Sequence, residues 1–219
     1  MTLNHGDSPV FDTIDFSAIV NVFGLFGIAV FAISGALDAA RKHMDILGFM
    51  LIGTLTGLGG GTIRDVLLGR LPLYWTLDST FVGLCLIMSV MTYFIAPKLE
   101  SRTKALIWMD ALGLSLFCVT GAQIAVQIGA APLICVCMGV ITATFGGILR
   151  DVVCGYDLVL GSRELYVTTA VAGASVYLGL HWLGLSENIA VVSGMIAALS
   201  LRSAAIIWGL KLPSYGQKS

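Results

Sequence analysis

The stretch Gly60-Gly61-Thr62-Ile63-Arg64-Asp65-Val66-Leu67-Leu68-Gly69 recurs 86 residues later as Gly146-Gly147-Ile148-Leu149-Arg150-Asp151-Val152-Val153-Cys154-Gly155, with six of ten positions identical. The same offset matches positions outside this stretch, namely Gly27 with Gly113, Phe31 with Phe117, Gly35 with Gly121, Ala36 with Ala122 and Thr56 with Thr142. One shift that holds over so long a segment indicates duplication rather than shared composition. The motif therefore predicts a chain built from two copies of one unit.

The composition is typical of a protein that lies in a lipid bilayer. Of the 219 residues, 57% are hydrophobic and only 11% are charged, whereas a soluble domain needs more charge to cover its surface. No charged residue lies between Asp110 and Arg150, an interval that holds most of two spanning helices of about 20 residues. The net charge of -1 gives no reason to expect a nucleic-acid partner.

The apolar segments between polar breaks predict seven membrane-spanning helices and no soluble domain. The predicted spans are residues 17–37, 46–68, 80–96, 105–127, 132–154, 165–183 and 189–210. The fold class is thus an all-α polytopic membrane protein with a 3+3 inverted repeat plus a seventh helix. Because three spans is an odd number, the second copy enters the membrane from the opposite side, as in many transporters.

Basic residues predict the orientation of the chain. They fall on alternate connections and in the final tail: Arg41, Lys42, Lys98, Arg102, Lys104, Arg163, Lys211 and Lys218. The other side has only Arg70, so the N-terminus is expected outside and the C-terminus in the cytoplasm. The predicted division is a tail of residues 1–16, one transmembrane domain of 17–210 and a cytoplasmic tail of 211–219. Within the domain we expect repeat one at 17–97, repeat two at 104–183 and the seventh helix at 187–210.

Dense glycines in spans 2 and 5 predict interrupted helices. Gly59, Gly60 and Gly61 lie inside span 2, and Gly146 and Gly147 lie at the equivalent place in span 5. Each glycine costs about 1 kcal/mol relative to alanine within a helix, and glycine clusters mark kinks. Breaks here would offer carbonyl oxygens to a cation, whereas the alternative is close helix packing. We expect only packing from the remaining glycines of this kind: Gly24, Gly27, Gly83, Gly113 and Gly179.

An Arg-Asp pair follows each glycine cluster, and ionisable groups within spans usually face a cavity or a partner. Arg64 and Arg150 can pair with their neighbours Asp65 and Asp151, or each arginine can pair with the aspartate of the other repeat. A third alternative places both arginines at the headgroups. The threonines before the breaks either line a path or donate hydrogen bonds to their own helices. They are Thr54, Thr56, Thr142 and Thr144.

Other polar residues give weaker signals. We expect Asp38 and Asp110 at the membrane interface and Arg202 at the cytoplasmic interface. We expect three aromatic residues to act as interface anchors, namely Tyr74, Trp75 and Tyr166. His43 and His181 are expected in loops. The five cysteines lack the spacing of a zinc site, and no catalytic motif occurs. We therefore expect no enzyme, no cofactor and no resident metal.

These residues resemble the prokaryotic branch of the trimeric intracellular cation (TRIC) channel family. The resemblance is carried by Ser34-Gly35-Ala36, by Gly59-Gly60-Gly61-Thr62-x-Arg64-Asp65 and by Gly146-Gly147-x-x-Arg150-Asp151. It implies a homotrimer in membrane lipid, with one pore in each protomer that passes K⁺ and Na⁺. The kinked spans 2 and 5 would then line the pore, and the arginines would act in gating. Where the first copy has Gly59, the second has Phe145, which makes Phe145 a candidate bulky gate.

Two other functions stay open at this point. A secondary transporter for a small solute such as glycine would also use inverted repeats and broken helices, and the wider bacterial family with this motif carries that suggestion. In that case an arginine would anchor the carboxylate of the solute. The third possibility is a structural membrane protein in which the glycines only pack.

Overall fold

The computed structural model describes residues 16–99, 101–155 and 165–210, and within them it contains α-helices, one short 3₁₀ turn and no strand. The helices are α1 (Phe16–Arg41), α2 (Ile46–Leu67), α3 (Tyr74–Leu77), α4 (Thr80–Ile95), α5 (Arg102–Gln127), α6 (Pro132–Cys154), α7 (Tyr166–Trp182) and α8 (Glu187–Trp208). The predicted tails and Arg163 lie largely or wholly outside the described residues.

The predicted seven-helix membrane fold is confirmed. Six of the helices are both long and apolar enough to cross a bilayer. The seventh, α7, has 17 residues and spans about 25 Å, at the lower limit for a transmembrane helix. The additional helix α3 is a single turn in the connection between α2 and α4, which the sequence did not predict. His181 lies in the last turn of α7, so its assignment to a loop was wrong.

Local chemistry explains where several helices begin and end. The Asp45 side chain accepts a hydrogen bond from the backbone N–H of Gly48 at 2.8 Å and caps α2. Pro132 lies in the first turn of α6, where its missing N–H costs nothing. Gly155 and Gly209 follow α6 and α8 with φ of 65° and 60°, a left-handed conformation that ends a helix most easily with glycine.

The two repeats face each other across an approximate symmetry axis. Helices α1, α2 and α4 form the first unit, and α5, α6 and α7 form the second. Phe31 and Phe117, which are equivalent under the 86-residue offset, contact each other with ring centroids 5.1 Å apart. Gly27 faces the ring of Phe117, and Gly113 faces the ring of Phe31. This reciprocal packing confirms the inverted repeat, and it confirms the packing role predicted for these two glycines.

Helix α8 lies outside the two repeats and has no counterpart related by the 86-residue offset. It packs on α5 and α7 of the second unit. An apolar cavity of about 250 Å³ lies among α1, α4 and the first half of α5. The chain is therefore symmetric in its six-helix core and asymmetric at its periphery. The exact domain boundaries stay predictions.

Candidate ion pathway at the crossing of α2 and α6

Helices α2 and α6 are continuous through their glycines, so the predicted interruption is wrong. Both are α-helical without a break over Ile46–Leu67 and Pro132–Cys154. The physical reason is that a helix satisfies its own backbone groups, and the glycines are used for close approach instead. A Cβ built on Gly60 would overlap the carbonyl oxygen of Thr142, and one on Gly146 would overlap that of Thr56.

These four residues define what we call the glycine crossing. Gly60 meets Thr142 and Gly146 meets Thr56, so residue numbers run in opposite directions and the helices are antiparallel. The threonine hydroxyls donate to their own helices, Thr56 to the carbonyl of Ile52 at 2.7 Å and Thr142 to that of Met138 at 2.6 Å. Of the two alternatives for these threonines, the structure shows hydrogen bonding to their own helices. The backbones of α2 and α6 meet at the place where a pore was predicted.

The remaining glycines of the motif lie beside side chains. A Cβ on Gly59 would lie 2.7 Å from Cδ1 of Leu149, the flexible end of a side chain. A Cβ on Gly61 would lie 2.9 Å from the Tyr74 hydroxyl. Phe145 is half-buried, and its role as a gate stays a prediction. The glycine cluster is therefore a packing surface, and its role in lining a pore stays a prediction.

Arg64 lies in a buried cluster at the end of α2, which we call the Arg64 cluster. Its Nε donates to Oδ1 of Asp65 at 2.9 Å, and its Nη2 lies 2.8 Å from the same oxygen. Nη1 of Arg70 approaches that oxygen at 3.5 Å from the surface. The guanidinium also lies 5.8 Å from the ring centre of Tyr74. Arg64 therefore pairs with its neighbour and not with the aspartate of the other repeat.

Arg150 lies in a richer cluster at the end of α6, which we call the Arg150 cluster. Its Nε lies 2.7 Å from Oδ2 of Asp38, its Nη1 3.2 Å from Asp110 and its Nη2 3.0 Å from Asp151. Nη1 also donates to the hydroxyl of Ser34 at 2.9 Å. Asp38 and Asp110 are only 1% and 4% exposed, so their expected interfacial position was wrong. Both aspartates are held inside by the charge that they neutralise.

The two clusters differ although the repeat is symmetric. The positions equivalent to Asp38 and Asp110 are Ile124 and Gly24, so the Arg64 cluster lacks two of the carboxylates. Arg150 therefore faces three carboxylates and Arg64 faces one. Asp38 also accepts a hydrogen bond from Arg41 at 2.8 Å, which ties the cluster to the end of α1.

Two aromatic residues assigned to the interface, Tyr74 and Tyr166, lie beside these clusters. Tyr166 is only 2% exposed, and its hydroxyl would lie 3.2 Å from a Cβ on Gly147. Arg202 is 3% exposed and lies 5.0 Å from the ring centre of Tyr166, so its predicted position at the cytoplasmic interface was wrong. Nothing in the local sequence marks these contacts. By contrast, the spacing of Ser34 and Asp38 on one helical face was a readable signal.

Known proteins resemble the chain in both sequence and structure. A family model described as "Glycine transporter" matches it twice, at residues 21–97 and 107–182. The UPF0126 inner membrane protein YadS of Escherichia coli K12 is 38% identical over 196 residues, which are 87% of this chain and 93% of that protein. The crystal structure of a TRIC trimeric intracellular cation channel orthologue from Rhodobacter sphaeroides is 47% identical, covers 88% of this chain and 100% of its own, and gives a TM-score of 0.86.

The chain belongs to the prokaryotic TRIC family. A second solved structure, of a prokaryotic TRIC channel in 0.5 M KCl, is 26% identical over 90% of this chain and all of its own, with a TM-score of 0.84. The family model matches each repeat once and leaves α8 outside both matches. As a TRIC family member, the chain is a multi-pass membrane protein. Its relatives carry two functional descriptions, a glycine transporter and a cation channel.

Proposed function

We propose that this TRIC family member is a channel for the monovalent cations K⁺ and Na⁺, with one pore in each protomer of a homotrimer. The path runs beside the closely packed glycine crossing, and the Arg64 and Arg150 clusters close it at its two ends. The solved relatives named as TRIC cation channels support this proposal through the shared fold.

One observation carries the proposal, namely a pair of buried arginine clusters on opposite sides of one helix crossing. From the antiparallel register at Gly60 and Thr142, Arg64 and Arg150 are separated by about 18 Å along the helix axes. Both clusters therefore fit within a hydrocarbon core of about 30 Å. Charges at that depth are costly, and they usually mark substrate or ion pathways or other functional sites.

The description of the matching family model favours a second candidate, a carrier of glycine. A glycine carboxylate needs an arginine with donors to spare. Each of the three guanidinium nitrogens of Arg150 already faces a carboxylate, and Arg64 is bonded to Asp65. The occupied donors of Arg150 support a channel in which this arginine closes the path, rather than a carrier in which it binds the solute.

Purified protein in planar bilayers under a KCl gradient tests the proposal. We expect discrete current steps that reverse near the K⁺ equilibrium potential, and smaller or equal steps with NaCl. Saturable uptake of labelled glycine into liposomes, without current steps, would instead establish the carrier. Absence of both activities in correctly folded protein would leave the structural alternative and end the channel proposal.

A matched pair of arginine variants tests the gating role. Arg64→Gln breaks a buried pair, which costs several kcal/mol, so open probability should change by at least about tenfold. Arg70→Gln removes a half-exposed arginine that approaches the same Asp65 oxygen at 3.5 Å, and it should change little because surface pairs contribute about 1 kcal/mol or less. Equal effects of the two variants would argue against a gate at Arg64.

The homotrimer and the orientation are part of the same proposal. Light scattering of detergent-purified protein should give three copies per particle, and a monomer or dimer would contradict the assembly. Alkaline phosphatase fused after residue 219 should be inactive if the C-terminus lies in the cytoplasm. An active fusion would reverse the orientation derived from the basic residues.

A further inference from the structure

Helix α8 carries a buried arginine that the repeat does not explain. Arg202 is 3% exposed, although a charged group inside a membrane protein is costly. The 86-residue offset relates the first two units and gives no counterpart for α8. The guanidinium carbon of Arg202 lies 5.0 Å from the ring centre of Tyr166, within the range of a cation–π contact.

Tyr166 connects Arg202 to the Arg150 cluster. A Cβ built on Gly147 would lie 3.2 Å from the Tyr166 hydroxyl, 3.6 Å from the Asp110 carboxylate and 3.8 Å from Nη2 of Arg150. The tyrosine hydroxyl and both charged groups therefore converge on one glycine of α6. Any shift of the Tyr166 ring changes the space that is open to Arg150.

The first repeat contains the same arrangement with a different arginine. A Cβ on Gly61 would lie 2.9 Å from the Tyr74 hydroxyl, so a tyrosine covers the equivalent glycine. There the motif arginine itself, Arg64, lies over the tyrosine ring, at 5.8 Å. In the second repeat the carboxylates hold the motif arginine Arg150, and the position over the ring is taken by Arg202.

We propose that Arg202 is a positioning residue for gating at the Arg150 cluster. It holds the ring of Tyr166 so that its hydroxyl covers Gly147, and this restricts the movement of Arg150. The gating part of this inference rests on the proposed channel function. Its structural part, a restraint on the end of α6, holds for any function.

Single-channel recording of four variants tests the inference. Arg202→Met keeps the length of the side chain and removes its charge, so open probability should rise between about twofold and thirtyfold, the range that a cation–π contact supports, with unchanged unitary conductance. Arg202→Lys keeps the charge and should retain most of the wild-type behaviour. Tyr166→Phe removes the hydroxyl that covers Gly147, so it should itself raise open probability, and Arg202→Met should add little in its presence. In Tyr166→Leu the ring is gone, and Arg202→Met should add nothing.

A merely structural anchor for α8 would give a different pattern. It would make the effects of Arg202→Met and Tyr166→Leu additive, and Arg202→Lys would behave like Arg202→Met. Either result overturns the inference. So does wild-type gating in Arg202→Met, provided that channels are recorded.

A second readout needs no channel activity. Cys154 is 6% exposed and lies one helical turn after Arg150, whereas Cys118 is fully buried on α5. Labelling with N-ethylmaleimide, quantified by mass spectrometry, should rise several-fold at Cys154 in Arg202→Met and stay constant at Cys118. If labelling rises but no variant conducts, the channel proposal fails and the restraint stands. Unchanged labelling at Cys154 overturns the restraint.

Discussion

Adding one methyl group at Gly60 should force α2 and α6 apart. The Cβ of Gly60→Ala would overlap the carbonyl oxygen of Thr142, and both atoms belong to backbones that cannot rotate away. Relief requires the helices to separate by about 1 Å, and overpacking of this kind costs about 1–3 kcal/mol. Alanine also gains about 1 kcal/mol in helix propensity, which partly hides the cost.

Gly179→Ala is the matched control, because it has the same gain in helix propensity but its Cβ overlaps no backbone atom. A Cβ there would meet no atom within 4 Å among the described residues of the protomer, and the packing role of Gly179 stays a prediction. The same open space surrounds Gly24 and Gly83. The propensity term cancels between the two variants. Gly60→Ala should therefore be about 1–3 kcal/mol less stable than Gly179→Ala.

Reversible unfolding in mixed micelles, with SDS as the denaturant, measures the difference. Gly146→Ala should match Gly60→Ala, because its Cβ overlaps the Thr56 carbonyl at the same crossing. The double variant should cost less than the sum, since one separation of the helices relieves both overlaps. If Gly60→Ala is as stable as Gly179→Ala, or if the two glycine effects simply add, the close-packing account of the motif is wrong.

Two further stability predictions concern carboxylates that have buried partners. Asp38→Asn leaves a deficit of negative charge beside buried Arg150 and should lower the free energy of unfolding by about 3 kcal/mol. The control, Asp45→Asn, should be neutral because Asn caps helices as well as Asp does. Equal losses in the two variants would contradict the charge argument. Glu187→Ala removes the acceptor of the buried Gln123 amide and should cost about 2 kcal/mol, while Glu187→Gln, which keeps an acceptor, should cost less. The same SDS titration checks both, and equal costs for the two Glu187 variants would refute the second.

The sequence predicted the fold well because the bilayer restricts the possibilities. Runs of about 20 apolar residues can only be spanning helices, and an odd number of spans per copy can only give an inverted repeat. Most helix bounds followed from polar breaks, although α1 continues to Arg41, four residues past its predicted end. The short helix α3 was missed, because its four residues, Tyr74–Leu77, give too little periodicity to be recognised.

The site was harder to predict because its contacts join distant parts of the chain. A run such as Gly59–Gly61 lowers the cost of a kink and also the cost of close packing, and only the partner helix decides between them. The register that brings Gly60 to the Thr142 carbonyl is a tertiary fact. Likewise, Asp38 near a helix end is compatible with headgroups until Arg150 is found beside it.

Asymmetry within an inverted repeat has a physical consequence. A path whose two ends are related by symmetry presents the same charges and barriers to both sides of the membrane. In this chain Asp38 and Asp110 join only the Arg150 cluster, and α8 adds Arg202 behind Tyr166 at that end alone. The Arg64 cluster keeps one carboxylate, with half-exposed Arg70 close by. In the channel that we propose, more charge pairs must be broken to move Arg150 than to move Arg64, so we expect unequal barriers at the two ends.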